Sequence, residues 1–402
     1  MLSESSKKVA GGALLVAGTA IGAGMLALPV VTAAGGFIPS CFIYLICYLF
    51  SVATGLLFLE VCYWMPQNAN LVSMAYHILG PVGRVFSWIL YIFLFYSLTI
   101  AYVSGGGAFV TFAFNNAIPM WAGTLIFTGA FATCVFIGTK VVDRVNFLLM
   151  IGLIGTFILF IILGSSHVKL ENIIRSHGVS ALFALPVMFT SFSYQGIIPS
   201  LHAYLDRDPK KVRSAILIGT SIPFVCYIIW EFLILGLVPL DGANGLAHAK
   251  EQSWTAVEPL RYLLNKSWLS NVGQAFAFCA LTTSFLGVTL GLLDFLADSL
   301  QIKKEGLKKL FLCVLIYVPP FIIATINPNL FLRALGYAGG IGCVLLLGFM
   351  PTAMVWVGRY RKKYTTVAKQ LPGGKVMLCT LFAFIAFELI IEIVQEVQKL
   401  FY

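Results

Sequence analysis

Residues 9–59 contain no charged side chain. A run of that length exceeds the apolar part of a cleavable leader, which spans about 7–15 residues. It holds two membrane-crossing helices, each of which needs about 20 apolar residues. The two lysines of the opening MLSESSKK therefore flank the first span of the mature protein rather than a signal peptide. Similar runs recur along all 402 residues, so that 59% of the chain is apolar and the mean hydropathy is +0.93. Charged residues make up 10%, against about a quarter in soluble domains. Those figures exclude a disordered chain, a disulfide-stapled secreted module and an ordinary cytosolic enzyme.

Turn residues divide the runs. The first breaks near Thr32-Ala33-Ala34-Gly35-Gly36, and a second long run, 85–139, breaks at Asn115-Asn116-Ala117-Ile118-Pro119. Single spans are expected at 145–168, 180–201, 214–240, 270–297, 310–326, 330–357 and 376–394. The reading is an all-α integral membrane protein of eleven transmembrane helices in one transmembrane domain, 1–402. With the N-terminus in the cytoplasm, nineteen of the 26 Lys and Arg residues fall in inner segments. The other seven are Lys169, Arg175, Lys250, Arg261, Lys266, Arg333 and Lys399. This asymmetry follows the positive-inside rule and puts the C-terminus outside. Adding or dropping one early helix would invert the later loops.

The net charge of +10 thus sets topology, and no nucleic-acid partner is expected. The partners are the lipid bilayer, a small solute and a coupling ion. The nine cysteines form no C-x-x-C pair and nearly all lie inside apolar runs, as inert buried thiols do. No metal site and no cofactor are expected. Residues 241–271 form the longest outer segment, with Trp254, Tyr262 and Trp268 among polar residues. Two readings stay open for it: a cap over an outer vestibule, or an interfacial helix with aromatic anchors.

The first span contains Gly18-Thr19-Ala20-Ile21-Gly22-Ala23-Gly24 and then Pro29. Glycines weaken a helix, and unwound backbone at membrane depth is tolerated only where it is buried or lines a cavity. A helix that stops near Ala20 and restarts near Gly24 offers carbonyls to a cation and free N–H groups to an anion. An amino-acid zwitterion needs both. Gly18 and Gly22 also make a G-x-x-x-G pair, whose common use is close helix packing. The sixth span decides between the two. Its centre, Thr190 to Gly196, is polar and lies between Pro186 and Pro199. Two interrupted helices five spans apart and opposite in direction match a five-plus-five inverted repeat, 9–168 and 180–357, with an eleventh helix at 376–394. Paired interruptions of this kind mark a transporter's binding site.

Other spans add candidates. The third carries Tyr91, Tyr96, Ser97, Thr99, Tyr102 and Gly105-Gly106-Gly107. Tyr102 is placed to donate to a substrate carboxylate, although membrane aromatics more often contact lipid or core. In the eighth, Thr283 and Ser284 either coordinate a sodium ion or bond their own helix. The carboxylates Glu60, Glu231, Asp294 and Glu388 are proton-carrier candidates, because intramembrane acids are expensive and often functional. No H-E-x-x-H, G-x-S-x-G or Walker motif is present, and the five histidines are scattered, so no enzyme is expected.

The runs Gly18 to Pro29, Ser104-Gly105-Gly106-Gly107, Ala184-Leu185-Pro186 with Thr190-Ser191-Phe192, Ile198-Pro199-Ser200-Leu201 and Ser284-Phe285-Leu286-Gly287 carry a resemblance. Together they resemble the bacterial hydroxy/aromatic amino acid permease family, most of all its tyrosine-specific and tryptophan permeases, over essentially the whole chain. The resemblance implies the leucine-transporter-type fold. It also implies secondary active uptake of tyrosine and/or tryptophan across the bacterial inner membrane, with proton symport and alternating access. It places a carboxylate at the amides of Gly22, Ala23 and Gly24, an ammonium at carbonyls near Thr19, Ala20 and Phe189, and the aromatic ring between Phe192 and Tyr194. Thr190 and Ser191 belong to the same substrate-binding set. Thr283 and Ser284 look like the hydroxyl pair of sodium-coupled relatives, which keeps a sodium-coupled symporter as an alternative. A serine/threonine carrier of the same family is another.

Overall fold

The computed structural model describes residues 4–66, 69–174, 178–263, 268–364 and 369–401. Regular structure among the described residues is entirely helical, as expected where hydrocarbon offers the backbone no hydrogen-bonding partner. In chain order the α-helices are α1 (Glu4–Ala20), α2 (Ala23–Thr32), α3 (Phe37–Trp64), α4 (Leu71–Ala113), α5 (Met120–Ile137), α6 (Thr139–Gly164) and a short α7 (Leu170–Ile173). The second half holds α8 (Leu185–Ser191), α9 (Ile198–Tyr204), α10 (Pro209–Leu237), α11 (Leu246–Glu251), α12 (Glu258–Leu263), α13 (Trp268–Ser299) and α14 (Gly306–Ile326). The chain closes with α15 (Phe331–Tyr337), α16 (Met350–Tyr360) and α17 (Gly374–Phe401).

Among the described residues, ten helical segments are long and apolar enough to cross a membrane, and the bent pair α1 and α2, taken as one span, brings the total to eleven. The expected interruptions fall in place. Residues 33–36 separate α2 from α3, and 114–119 separate α4 from α5. Three features differ from the expected spans. The helix of the third span starts at Leu71 and kinks at Gly80, whose φ of +79° only glycine adopts easily, just before Pro81. Gly138 alone (φ +146°) separates α5 from α6, so Lys140 and Arg144 sit in the first turns of α6 rather than in a loop. The tenth span contains a π-helix, Ala338–Phe349. Arg175 and Lys266 of the outer count lie outside the described residues, as does the side chain of Lys399.

Burial separates an inner bundle from a lipid-facing shell. The apolar windows of α3 and of the sixth span are 67% and 72% buried, whereas those of α5 and α6 are 28% and 17% buried. The broken helices therefore sit at the centre. α1 packs along α10, and α8 packs on the π-helix and on α2. Two glycines set these approaches. A methyl group at Gly339 would overlap the Pro186 carbonyl oxygen, and one at Gly219 of α10 would press on Ala13 and Val16 of α1. Within 241–271, α11 rests on α2, and the Ala256 amide donates to the Leu26 carbonyl at 2.8 Å. Trp254 stacks on Tyr262, while Trp268 remains 80% exposed.

At the face that carries the N-terminus, ion pairs tie loops together. Lys8 meets Asp206 at 2.9 Å. Arg359 grips Glu60 with both nitrogens, Nε to Oε1 at 2.7 Å and Nη2 to Oε2 at 2.6 Å. The Gln370 amide donates to the same carboxylate at 2.8 Å. Glu60 is 1% exposed, so breaking this pair leaves a buried uncompensated charge, a cost of about 3–5 kcal/mol. Arg359→Met is expected to lower the melting temperature of the detergent-solubilised protein strongly, and the double variant Glu60→Gln/Arg359→Met to regain most of the loss.

Candidate functional site

The first helix stops at Ala20 and restarts at Ala23 with a bend of 55°. Gly22, in an extended conformation, precedes the new helix. The Ile21 amide reaches back to Ala17, and the Met25 amide bonds the Gly22 carbonyl at 3.0 Å. The Ala23 amide donates instead to Ser284 Oγ at 3.0 Å. Among the described residues this leaves the amides of Gly22 and Gly24, and the carbonyls of Gly18, Thr19 and Ile21, without a backbone partner. A methyl group at Gly22 would collide with Ser284 Oγ, so glycine is required for α13 to come this close.

The sixth span breaks after Ser191. Phe192, Ser193 and Tyr194 leave the helix, Gln195–Ile197 form one 3-10 turn, and α9 resumes at Ile198. Side chains take up the freed backbone groups. Ser51 Oγ donates to the Phe192 carbonyl at 2.7 Å, and Ser193 Oγ to the Thr190 carbonyl at 2.7 Å. The Gln195 side chain accepts from the Tyr194 amide and donates to Thr54.

One residue joins the two breaks. Tyr227 Oη, on α10, lies 2.6 Å from the Ala20 carbonyl and 2.7 Å from the Ser191 carbonyl. Its single proton serves either acceptor. Tyr227 is fully buried, and it holds the ends of both half-helices against one post.

Between the breaks lies a cavity of about 570 Å³. Thr19, Ala20, Gly22, Ala23, Gly24, Tyr102, Thr190 and Tyr194 line it, as do Thr283 and Ser284. It extends along the halves of α1, α4 and α13 nearest the N-terminal face, where Thr19, Gly196 and Gly287 are exposed. Tyr91, Phe95, Leu98 and Met150 make an apolar wall. A separate hollow of about 260 Å³ at the opposite face is lined by Ser104, Gly105, Trp254 and Phe331, and shares no lining residue with the first.

Three residues expected at the site do not line the cavity. Phe189 packs edge-on against Phe50 and Phe384. Phe192 points to Tyr44 and Tyr227. Ser191 bonds the Val187 carbonyl and abuts Gly24. Tyr194 reaches past the cavity wall to the Ser51 carbonyl at 3.1 Å. Of the hydroxyls proposed for a cation, Thr283 Oγ1 donates to the Ala280 carbonyl of its own helix at 3.1 Å, and Ser284 Oγ accepts from the Ala23 amide across the bundle. The carboxylates lie away from the cavity. Glu60 is held by Arg359, and Asp294 pairs at the surface with Lys304 at 2.7 Å. Glu231 accepts from Thr32 at 2.5 Å and from Tyr44 at 2.7 Å.

A model of the tryptophan/tyrosine permease family matches residues 5–392. The chain belongs to that family. The tryptophan-specific transport protein of Haemophilus influenzae is 31% identical over 394 residues, covering 94% of each chain. Tyrosine-specific transport system 1 of the same organism is 31% identical, covering 92% of this chain and 93% of its own. Glutamine transporter 2 of Aliivibrio fischeri is 30% identical, with 92% and 95% covered. A solved manganese transporter variant from Eremococcus coleocola superposes with a TM-score of 0.63 at 14% identity, over 97% of this chain and 86% of its own. The fold is thus the leucine-transporter type, five plus five spans with discontinuous first and sixth helices and an added eleventh. The permease is a multi-pass membrane transporter and not an enzyme.

Sequence reasoning missed Tyr227, which stands in an apolar helix with no local signal, and Asn146 of α6, a polar cavity residue at the edge of an apolar run. Removing the phenol strips both carbonyls of their donor. A buried acceptor left unmade costs about 1–3 kcal/mol. Tyr227→Phe is expected to lower the melting temperature and to speed hydrogen exchange at residues 20–25 and 191–195, while leaving α5 and α6 unchanged.

Proposed function

We propose that the permease imports an aromatic amino acid, tyrosine and/or tryptophan, by proton symport with alternating access. The observation that carries this is the cavity between the two breaks, where free amides and free carbonyls lie on either side of the gap between α1 and α2. The amides of Gly22 and Gly24 at the start of α2 favour the carboxylate. The carbonyls of Gly18, Thr19 and Ile21 at the end of α1 favour the ammonium. The Tyr91, Phe95 and Met150 wall takes the ring, and Tyr102, beside Ser284, lies within the same pocket. A volume of about 570 Å³ falls in the ordinary range for small-molecule sites. The names of the tryptophan- and tyrosine-specific relatives support the same substrate class.

In this reading the protein sits in the bacterial inner membrane with its N-terminus in the cytoplasm and its C-terminus in the periplasm, as the Lys and Arg asymmetry supports. The cavity then faces inward, and the hollow beneath Trp254 marks the closed outer path. Residues 9–168 and 180–357 are the two inverted repeats that move against each other.

Purified protein in liposomes is expected to accumulate labelled tryptophan or tyrosine when the outside is made acid, without sodium, and excess serine is expected not to compete. Uptake that needs sodium, or that serine blocks, overturns the respective part of the reading. Gly22→Leu, whose side chain would be driven onto Ser284 beside the carboxylate site, is expected to reach the membrane yet abolish uptake. Substrate affinity unchanged in that variant refutes the site.

A further inference from the structure

α17 lies outside the five-plus-five repeat, yet one of its faces is acidic and buried. Glu388, Glu392 and Glu396 follow at intervals of four residues and so share that face. Glu396 Oε2 accepts from Tyr337 Oη at 2.9 Å near the C-terminal end of the helix. Glu392 is 6% exposed and abuts the π-helix, where a methyl group at Gly340 would lie 2.6 Å from its Oε2. Glu388 stands at the middle of the 28-residue helix with no exposed surface, and neither of its carboxylate oxygens has a hydrogen-bond partner among the described residues. Two acids nearer the surface thus lead to a third that is buried and unpartnered at mid-depth.

The surroundings of Glu388 select what it can bind. Phe384, one turn away, packs on Phe50 and Phe189, and the Cys47 and Cys343 thiols face the carboxyl group. From the elements packed on this face, the other titratable or charged groups are Glu392, Tyr337 with neighbouring Arg333, and Arg359, which already holds Glu60. A bare carboxylate here has no cation to offset its burial. A hard metal cation needs a shell of several oxygens, which phenyl rings and thiols do not supply. A proton needs one oxygen.

We propose that Glu388 is the group that takes up the coupling proton, and that Glu396 and Glu392 form its path from the outer face. The step is the binding of one proton to a Glu388 oxygen and its later release; no other bond forms or breaks. Coupling to the substrate runs through packing. Glu392 presses on Gly340, the adjacent Gly339 sits on the Pro186 carbonyl of α8, and Thr190 Oγ1 bonds the Leu335 carbonyl at 2.8 Å. An uncharged Glu388 permits this dry contact between α17, the π-helix and the second broken helix. An ionised one draws in water and loosens it.

The inference rests on the proton-symport reading, and the test separates the two. Wild type, Glu388→Gln, Glu388→Asp and Glu392→Gln are reconstituted in liposomes. Two quantities are measured: net uptake of labelled tryptophan under an outside-acid gradient, and exchange of labelled for unlabelled tryptophan with no gradient. Glu388→Gln is expected to keep exchange but lose gradient-driven accumulation and its pH dependence. Glu388→Asp is expected to recover both, and Glu392→Gln to slow net uptake more than exchange. Wild type that ignores the proton gradient overturns the symport reading itself. Wild type that responds, with Glu388→Gln responding equally, overturns only the role of Glu388. Loss of exchange together with net uptake in Glu388→Gln, not recovered by Glu388→Asp, assigns the residue to packing and also overturns it.

Discussion

A backbone N–H or C=O inside a bilayer has no water to turn to, and each one left unmade costs several kcal/mol. Most of this chain meets that demand by remaining helical. At two places it does not, and the architecture around them supplies substitutes. Tyr227 serves the last carbonyls of α1 and α8, Ser284 accepts the first amide of α2, and Ser51 and Gln195 satisfy the turn after Phe192. The groups that remain without partners are gathered on a cavity wall. They are the groups a zwitterion could use.

This division explains the arrangement of the bundle. The helices that carry the breaks pack against α3, α10 and α13, which bring hydroxyls to the freed backbone at the cost of polar atoms inside an apolar core. Glycines permit the approach. Gly22 admits Ser284, Gly24 admits Ser191, and Gly339 admits the Pro186 carbonyl. The apolar windows of α5 and α6 are only 28% and 17% buried, which leaves most of their apolar surface for lipid. The ionisable groups follow the same logic. Glu60 is neutralised by Arg359 and Asp294 by Lys304, Glu231 is held by two hydroxyls, and Glu388 is left without a partner.

The likeness to a manganese transporter at 14% identity shows how little of this fold depends on particular side chains. Helix length, opposed interruptions and small residues at close approaches suffice to specify the scaffold. The relatives at about 30% identity carry names as different as tryptophan-specific transport protein and glutamine transporter, so a shared fold does not by itself fix the solute.

By itself the sequence determined the spans, their number and the two interruptions, because hydrophobic length and glycine or proline placement act locally along the chain. The sequence put the stop near Ala20, the restart near Gly24 and the second interruption within Thr190–Gly196, and the helices end at Ala20, restart at Ala23 and break after Ser191. Side-chain direction was not legible in that way. Phe192 and Ser191 sit within the expected motif, yet their side chains point at neighbouring helices, Phe192 at Tyr44 and Tyr227 and Ser191 at Gly24. Tyr227 and Glu388 were equally beyond reach, one as an ordinary tyrosine in an apolar run and the other as one acid among four. Only tertiary packing decided that the first spans two broken helix ends and that the second has no partner, since both facts depend on residues far away in the chain.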